Sequence, residues 1–123
     1  MPKVNVLLVD DEIEFISALA ERLRLRNYDA RAVSRAEDVL STIQHDPPDV
    51  VLLDFKMPGM DGIEILKLIK SMHPAVEVIM VTGHGDSKSR EEVMNSGAAD
   101  YIMKPIDIGE LVLKINKSKM KNS

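Results

Sequence analysis

The residues of this chain that could do chemistry share a position: each stands directly after a short apolar run. Asp10 and Asp11 follow the run 4–9, Asp54 the run 50–53, Thr82 the run 76–81, and Lys104 the run 99–103. Three carboxylates brought together repel one another and resist full ionisation unless a cation compensates them. Hard oxygen ligands favour magnesium over a transition metal. With Mg²⁺ and Lys104 set against the three carboxylates, the pocket is formally neutral and can accept an anionic phosphoryl group. Phosphoryl transfer depends on in-line positioning and on cations that neutralise the equatorial oxygens; a carboxylate can serve as nucleophile and form an acyl phosphate. The expected nucleophile is Asp54. Asp11 then holds the metal directly, Asp10 directly or through a water, Thr82 hydrogen-bonds one phosphoryl oxygen, and Lys104 pairs with another.

Because these positions are far apart in sequence, a fold must assemble them. Counting 28–33, there are five short runs rich in Val, Ile, Leu or Met, separated by segments of helical spacing. Runs that are apolar on successive residues suit strands buried on both faces, as in a parallel sheet covered by helices. Ile16, Leu19, Ala20 and Leu23 form one helical stripe, with Glu21, Arg22 and Arg24 on the other face. Ser34 and Glu37 have capping-box spacing and predict a second helix from about Arg35, with Val39, Leu40 and Ile43 inward. Asp61 and Glu64 open a third, a fourth runs from about Lys88 to Ser96 and closes on Gly97, and Asp107 with Glu110 opens the fifth. The predicted fold is α/β and flavodoxin-like: a doubly wound five-stranded parallel sheet of order 2-1-3-4-5 with five helices. In that order strands one, three, four and five are consecutive neighbours, so all five polar side chains converge on the carboxyl edge of the sheet.

Composition narrows the function. The 123 residues suit one domain, here residues 1–117, with the Lys-, Asn- and Ser-rich stretch 118–123 as a C-terminal tail or the start of a linker. The net charge of −4 is the wrong sign for gripping phosphate backbones, so direct nucleic-acid binding is not expected. The absence of cysteine excludes disulfide scaffolds, thiolate zinc sites and thiol catalysis. His45, His73 and His84 lack the spacing of a zinc site. No apolar run has the length of a membrane span or a signal sequence, and a cytoplasmic location is expected. Among the eight methionines, Met80, Met94 and Met103 are expected to fill gaps in the core.

The stretches Leu8-Val9-Asp10-Asp11-Glu12, Leu52-Leu53-Asp54-Phe55-Lys56-Met57-Pro58-Gly59-Met60-Asp61-Gly62, Val81-Thr82-Gly83, Gly97-Ala98-Ala99-Asp100-Tyr101 and Lys104-Pro105 carry a resemblance. In order and spacing, over residues 3 to about 117, the chain resembles the receiver domains of two-component response regulators. The resemblance implies Asp54 as phosphoacceptor and Asp10 and Asp11 as the acidic pair, with the Lys56 backbone carbonyl as a further Mg²⁺ ligand. It also implies Thr82 and Tyr101 as switch residues, Lys104 as a phosphate contact, and a cis bond between Lys104 and Pro105, which a proline makes accessible. The partners implied are a sensor histidine kinase as donor, an output domain or downstream protein, and a second copy of the chain in a phosphorylation-dependent homodimer. The stretch Thr82-Gly83-His84-Gly85-Asp86 is loosely similar to receivers attached to enhancer-dependent transcription activators.

Each residue alone has a plainer reading: Asp10 and Asp11 as helix-start charges, Asp54 as a loop carboxylate, Thr82 as a turn hydroxyl, Lys104 as a solvated lysine, Tyr101 as packing. Their conjunction at four strand ends favours the phosphoacceptor. The rival enzyme is an aspartyl-nucleophile phosphohydrolase, which commonly needs a second Asp two residues after the nucleophile, where this chain has Lys56. A flavin module on the same architecture finds few aromatics and an acidic pocket. A degenerate receiver serving only as an interaction module would not need Asp54, Thr82 and Lys104 together. Lys56 and His84, each two residues past a key side chain, are expected to tune the lifetime of the acyl phosphate. Pro58 and Gly59 suit the centre of a type II turn.

Overall fold

Continuous apolar runs demand cover on both faces, and the chain supplies it. A computed structural model describes residues 3–83 and 87–121. Five parallel strands, β1 (Asn5–Val9), β2 (Asp29–Val33), β3 (Val50–Asp54), β4 (Glu77–Thr82) and β5 (Asp100–Met103), form one sheet in the order β2-β1-β3-β4-β5. The three inner strands are almost wholly buried, whereas β2 and β5 at the edges are only partly so. This is the order expected of the doubly wound fold.

The two-residue pleat sorts side chains between two cores. Val6, Leu8, Val50, Leu52, Ile79 and Val81 meet helices α1 (Ile13–Leu25) and α5 (Ile108–Lys121) on one face. Leu7, Val9, Val51, Leu53, Val78 and Met80 meet α2 (Val39–His45), α3 (Gly62–Met72) and α4 (Ser87–Asn95) on the other. Leu23, Leu66 and Leu111 are fully buried helix anchors; truncating such a leucine to alanine costs about 2–5 kcal/mol. Met80 is buried as expected and Met103 half-buried, but Met94 is 41% exposed, because it lies on the outer face of α4.

Local signals explain most element ends. Asp61 accepts hydrogen bonds from the N–H groups of Ile63 and Glu64, and Asp107 accepts from Glu110, the predicted caps of α3 and α5. Gly97, at φ +108°, ends α4, with its own N–H and that of Ala98 donated to the carbonyls of Met94 and Val93. Gly59, at φ +72°, turns a short hairpin in which Lys56–Met57 pairs with Met60–Asp61.

The expected start of the second helix is corrected. Ser34 and Glu37 do not form a capping box: Glu37 pairs instead with Arg35, and a 3₁₀ turn, Ala36–Asp38, precedes α2. Helix α5 continues to Lys121, and past Ile115 it buries Ser118, 2% exposed, whose hydroxyl donates to the Lys114 carbonyl at 2.8 Å. No helix among the described residues is long and apolar enough to cross a membrane.

Candidate functional site: an acidic cluster at the carboxyl edge

Parallel pairing in register sets the ends of β1, β3, β4 and β5 side by side. Val9 pairs with Leu53, Asp54 with Val81, and Thr82 with Met103, so Asp10, Asp54, Thr82 and Lys104 all emerge at one edge. Two backbone bonds prolong the ladder into the loops: Phe55 N–H to the Val81 carbonyl at 2.9 Å, and Lys104 N–H to the Thr82 carbonyl at 3.0 Å.

Asp10, Asp11 and Asp54 each offer a carboxylate oxygen within 4.8 Å of the others'. Asp10 and Asp54 are buried and Asp11 is exposed at the mouth. Asp10 is oriented through Oδ1, which accepts the Glu12 N–H at 2.9 Å; Asp54 Oδ1 accepts the Lys56 N–H at 3.2 Å. The Lys104 ammonium is shared, 3.2 Å from Asp10 Oδ2, 3.7 Å from Asp54 Oδ2 and 3.5 Å from Glu12 Oε1. The Lys104–Pro105 bond is cis.

Burial raises the Asp54 carboxyl above the ordinary carboxylate range; the Lys56 N–H and Lys104 oppose that rise, and the charges of Asp10 and Asp11 add to it. Burial alone would depress the Lys104 ammonium, but Asp54, Asp10 and Glu12 together raise it, so it stays charged. The Thr82 hydroxyl is buried and has no hydrogen-bond partner among the described residues; a buried hydroxyl left without one costs about 1–3 kcal/mol. One lysine against three carboxylates leaves negative charge uncompensated, and the donors are all hard oxygens, so the set fits a divalent cation such as Mg²⁺.

Of the predicted residues, Asp10, Asp11, Asp54 and Lys104 are brought together. Thr82 lies on the neighbouring strand, one residue past the register partner of Asp54. Lys56 contributes its backbone N–H to Asp54 while the residue itself is exposed. Tyr101 pairs with Met80, away from the acidic edge, and is half-buried between α4 and α5. His84 lies outside the described residues.

Three neighbours escaped the sequence reading. Glu12 reaches Lys104, and the Phe15 ring lies 5.5 Å from the same ammonium. Together with Pro105 these line a groove at the rim of the site. The third is Gly62, where a Cβ would fall 2.7 Å from the Phe55 carbonyl oxygen, so only glycine lets α3 start so close beneath the Asp54 turn. The signal was available in part, since Glu12 directly follows the acidic pair.

Comparison with known proteins agrees with this geometry. The family model of the response regulator receiver domain matches residues 6–116. The DNA-binding transcriptional regulator NtrC of Proteus hauseri is 37% identical over 118 residues, 96% of this chain and 25% of that protein. The transcriptional regulatory protein ZraR of Klebsiella oxytoca is 34% identical over 94% of this chain and 26% of its own length. The chain thus spans about a quarter of these relatives. Among solved structures, a response regulator receiver domain protein from Clostridium thermocellum superposes with a TM-score of 0.88 at 30% identity, covering 94% of both chains. A CheY-like receiver domain protein from Methanospirillum hungatei gives 0.90 at 28% identity, over 98% of this chain and 96% of that one. With its sheet order, its acidic edge and these matches, the chain belongs to the response regulator receiver domain family.

Proposed function

We propose that this receiver takes a phosphoryl group onto Asp54 from the phosphohistidine of a sensor kinase and switches the conformation of its surface. The observation that carries this reading is the pairing of opposites at one edge: a buried, pKa-raised carboxylate beside a shared ammonium and an orphaned buried hydroxyl. A carboxylate oxygen of Asp54 attacks phosphorus, the N–P bond of the donor breaks, and the departing imidazole keeps the electron pair and takes up a proton. Asp10, Asp11, Asp54 and the Lys56 carbonyl would hold Mg²⁺, which supplies neutralisation of the phosphoryl oxygens when bound. Lys104 exchanges its contact with Asp54 for a phosphoryl oxygen, and the Thr82 hydroxyl donates a hydrogen bond to another.

The switch follows from that bond. Drawing Thr82 toward the phosphoryl group empties space behind it on the face that also carries Met80 and Tyr101, and the Tyr101 ring fills it. The new charge biases an equilibrium between two arrangements of α4, β5 and α5. A C-terminal output domain or a separate partner in the cytoplasm reads that face, and two phosphorylated copies can pair through it. The groove of Glu12, Phe15, Lys104 and Pro105 offers the donor an approach to the site. Lys56 and His84 tune the lifetime of the acyl phosphate.

The reading as a phosphohydrolase is weaker, because the position two after Asp54 holds an exposed basic side chain where that chemistry needs an acid. Beryllofluoride with Mg²⁺ tests the proposal. Amide resonances of β4, β5 and α4 should move in the wild type and stay put in Asp54→Ala; equal responses of the two proteins would sink it.

A further inference from the structure

The Tyr101 ring has two cations over it, and they come from different elements. Arg90 on α4 places its guanidinium carbon 5.5 Å from the ring centroid, and Lys114 on α5 places Nζ at 5.3 Å. Both distances lie within the reach of a cation–π attraction. Lys114 is held in turn: Asp100 Oδ1 accepts from its ammonium at 3.2 Å and Glu110 Oε2 lies at 3.9 Å. The same Asp100 oxygen accepts the Tyr101 backbone N–H at 2.8 Å, so the carboxylate fixes both the cation and the strand residue under it. Tyr101 is half-buried on the sheet face it shares with Met80, the residue two before the buried Thr82.

From this arrangement we infer that Arg90 and Lys114 are positioning residues that clamp the Tyr101 ring in its resting place and set the threshold of the switch. The inference rests on the reading of Tyr101 as the residue that follows Thr82. A ring that leaves for the space behind Thr82 must give up both cations, so the clamp opposes the move. Each attraction changes the balance between the two ring positions about two- to fivefold. A ligand that binds the switched state must overcome that factor, and its apparent affinity falls by the same amount. The clamp thereby lowers the fraction of the unphosphorylated chain that occupies the switched arrangement.

The test uses the full chain labelled with 3-fluorotyrosine. Its two tyrosines give two ¹⁹F resonances, and Tyr28, bonded through its hydroxyl to Asn116 Oδ1 at 2.8 Å, serves as the internal reference. Arg90→Gln and Lys114→Gln should each move the resting Tyr101 resonance toward its position in beryllofluoride and Mg²⁺. Each should also lower the half-saturating beryllofluoride concentration about two- to fivefold. The charge-retaining Arg90→Lys and Lys114→Arg should restore both readouts, which a merely structural role would not require. A Tyr101 resonance that responds to beryllofluoride but not to the Gln variants overturns the clamp alone. Gln variants that act no differently from their charge-retaining counterparts do the same. A resonance that ignores beryllofluoride in the wild type overturns the reading of Tyr101 as a switch, and the clamp with it.

Discussion

The two edges of the sheet carry the same residue type to opposite effect. At the amino edge, Asp49 receives the Asn5 N–H at 2.8 Å on one oxygen and the Lys119 ammonium at 2.8 Å on the other. Burial would raise its pKa, but these two partners outweigh burial and hold it below the ordinary value. At the carboxyl edge, Asp54 shares one ammonium with Asp10 and Glu12, and its pKa is raised. One edge ties β1, β3 and α5 together; the other keeps uncompensated negative charge, which in the proposed function a cation and an anion complete. On the proposed function, stability and reactivity are drawn from separate poles of one sheet.

That contrast can be broken most sharply at the satisfied pole. Asp49→Ala removes two charge-assisted hydrogen bonds and is expected to cost about 2 kcal/mol in urea unfolding, with no change in phosphoryl uptake. Its pH signature has a definite sign. Because the folded-state pKa of Asp49 is depressed, its contribution is present above the unfolded carboxylate value and is lost as pH falls through the lower, folded one. In Asp49→Ala the acid limb of the stability curve should therefore be shallower than in the wild type.

The opposite response is expected at the reactive pole. Mg²⁺ at ten times its dissociation constant should raise the unfolding free energy by about 1.4 kcal/mol, a gain lost in Asp54→Ala and retained in Asp49→Ala. The smallest effect is Asp54→Asn without Mg²⁺: replacing a poorly compensated buried carboxylate with a neutral isostere should stabilise the chain by about 1 kcal/mol. A destabilisation of equal size would mean that the cluster is satisfied as it stands, and that the two edges do not differ in kind.

How far the sequence could be read follows the range of the forces involved. The parallel strands were legible because inner strands must be apolar on both faces, and Val50–Asp54 and Glu77–Thr82 are; their order and the convergence of Asp10, Asp54, Thr82 and Lys104 followed from the doubly wound pattern those strands imply. Caps at Asp61 and Asp107 were legible because they are local bonds. The start of α2 was not, since the Arg35–Glu37 ion pair competes with the capping geometry that their spacing suggests. Nor was the Tyr101 environment: Arg90 and Lys114 lie on different helices and meet only across β5. Gly62 looked like an ordinary helix start until its clearance from Phe55 was known.

The central claim is that Asp54 is the phosphoacceptor. Incubation with acetyl phosphate and Mg²⁺, followed by intact mass and peptide mapping, measures this directly. One phosphoryl group per chain is expected, carried on the peptide holding Asp54, abolished by chelation of Mg²⁺ and absent in Asp54→Ala. A label on any other residue, or one that survives that substitution undiminished, would contradict it.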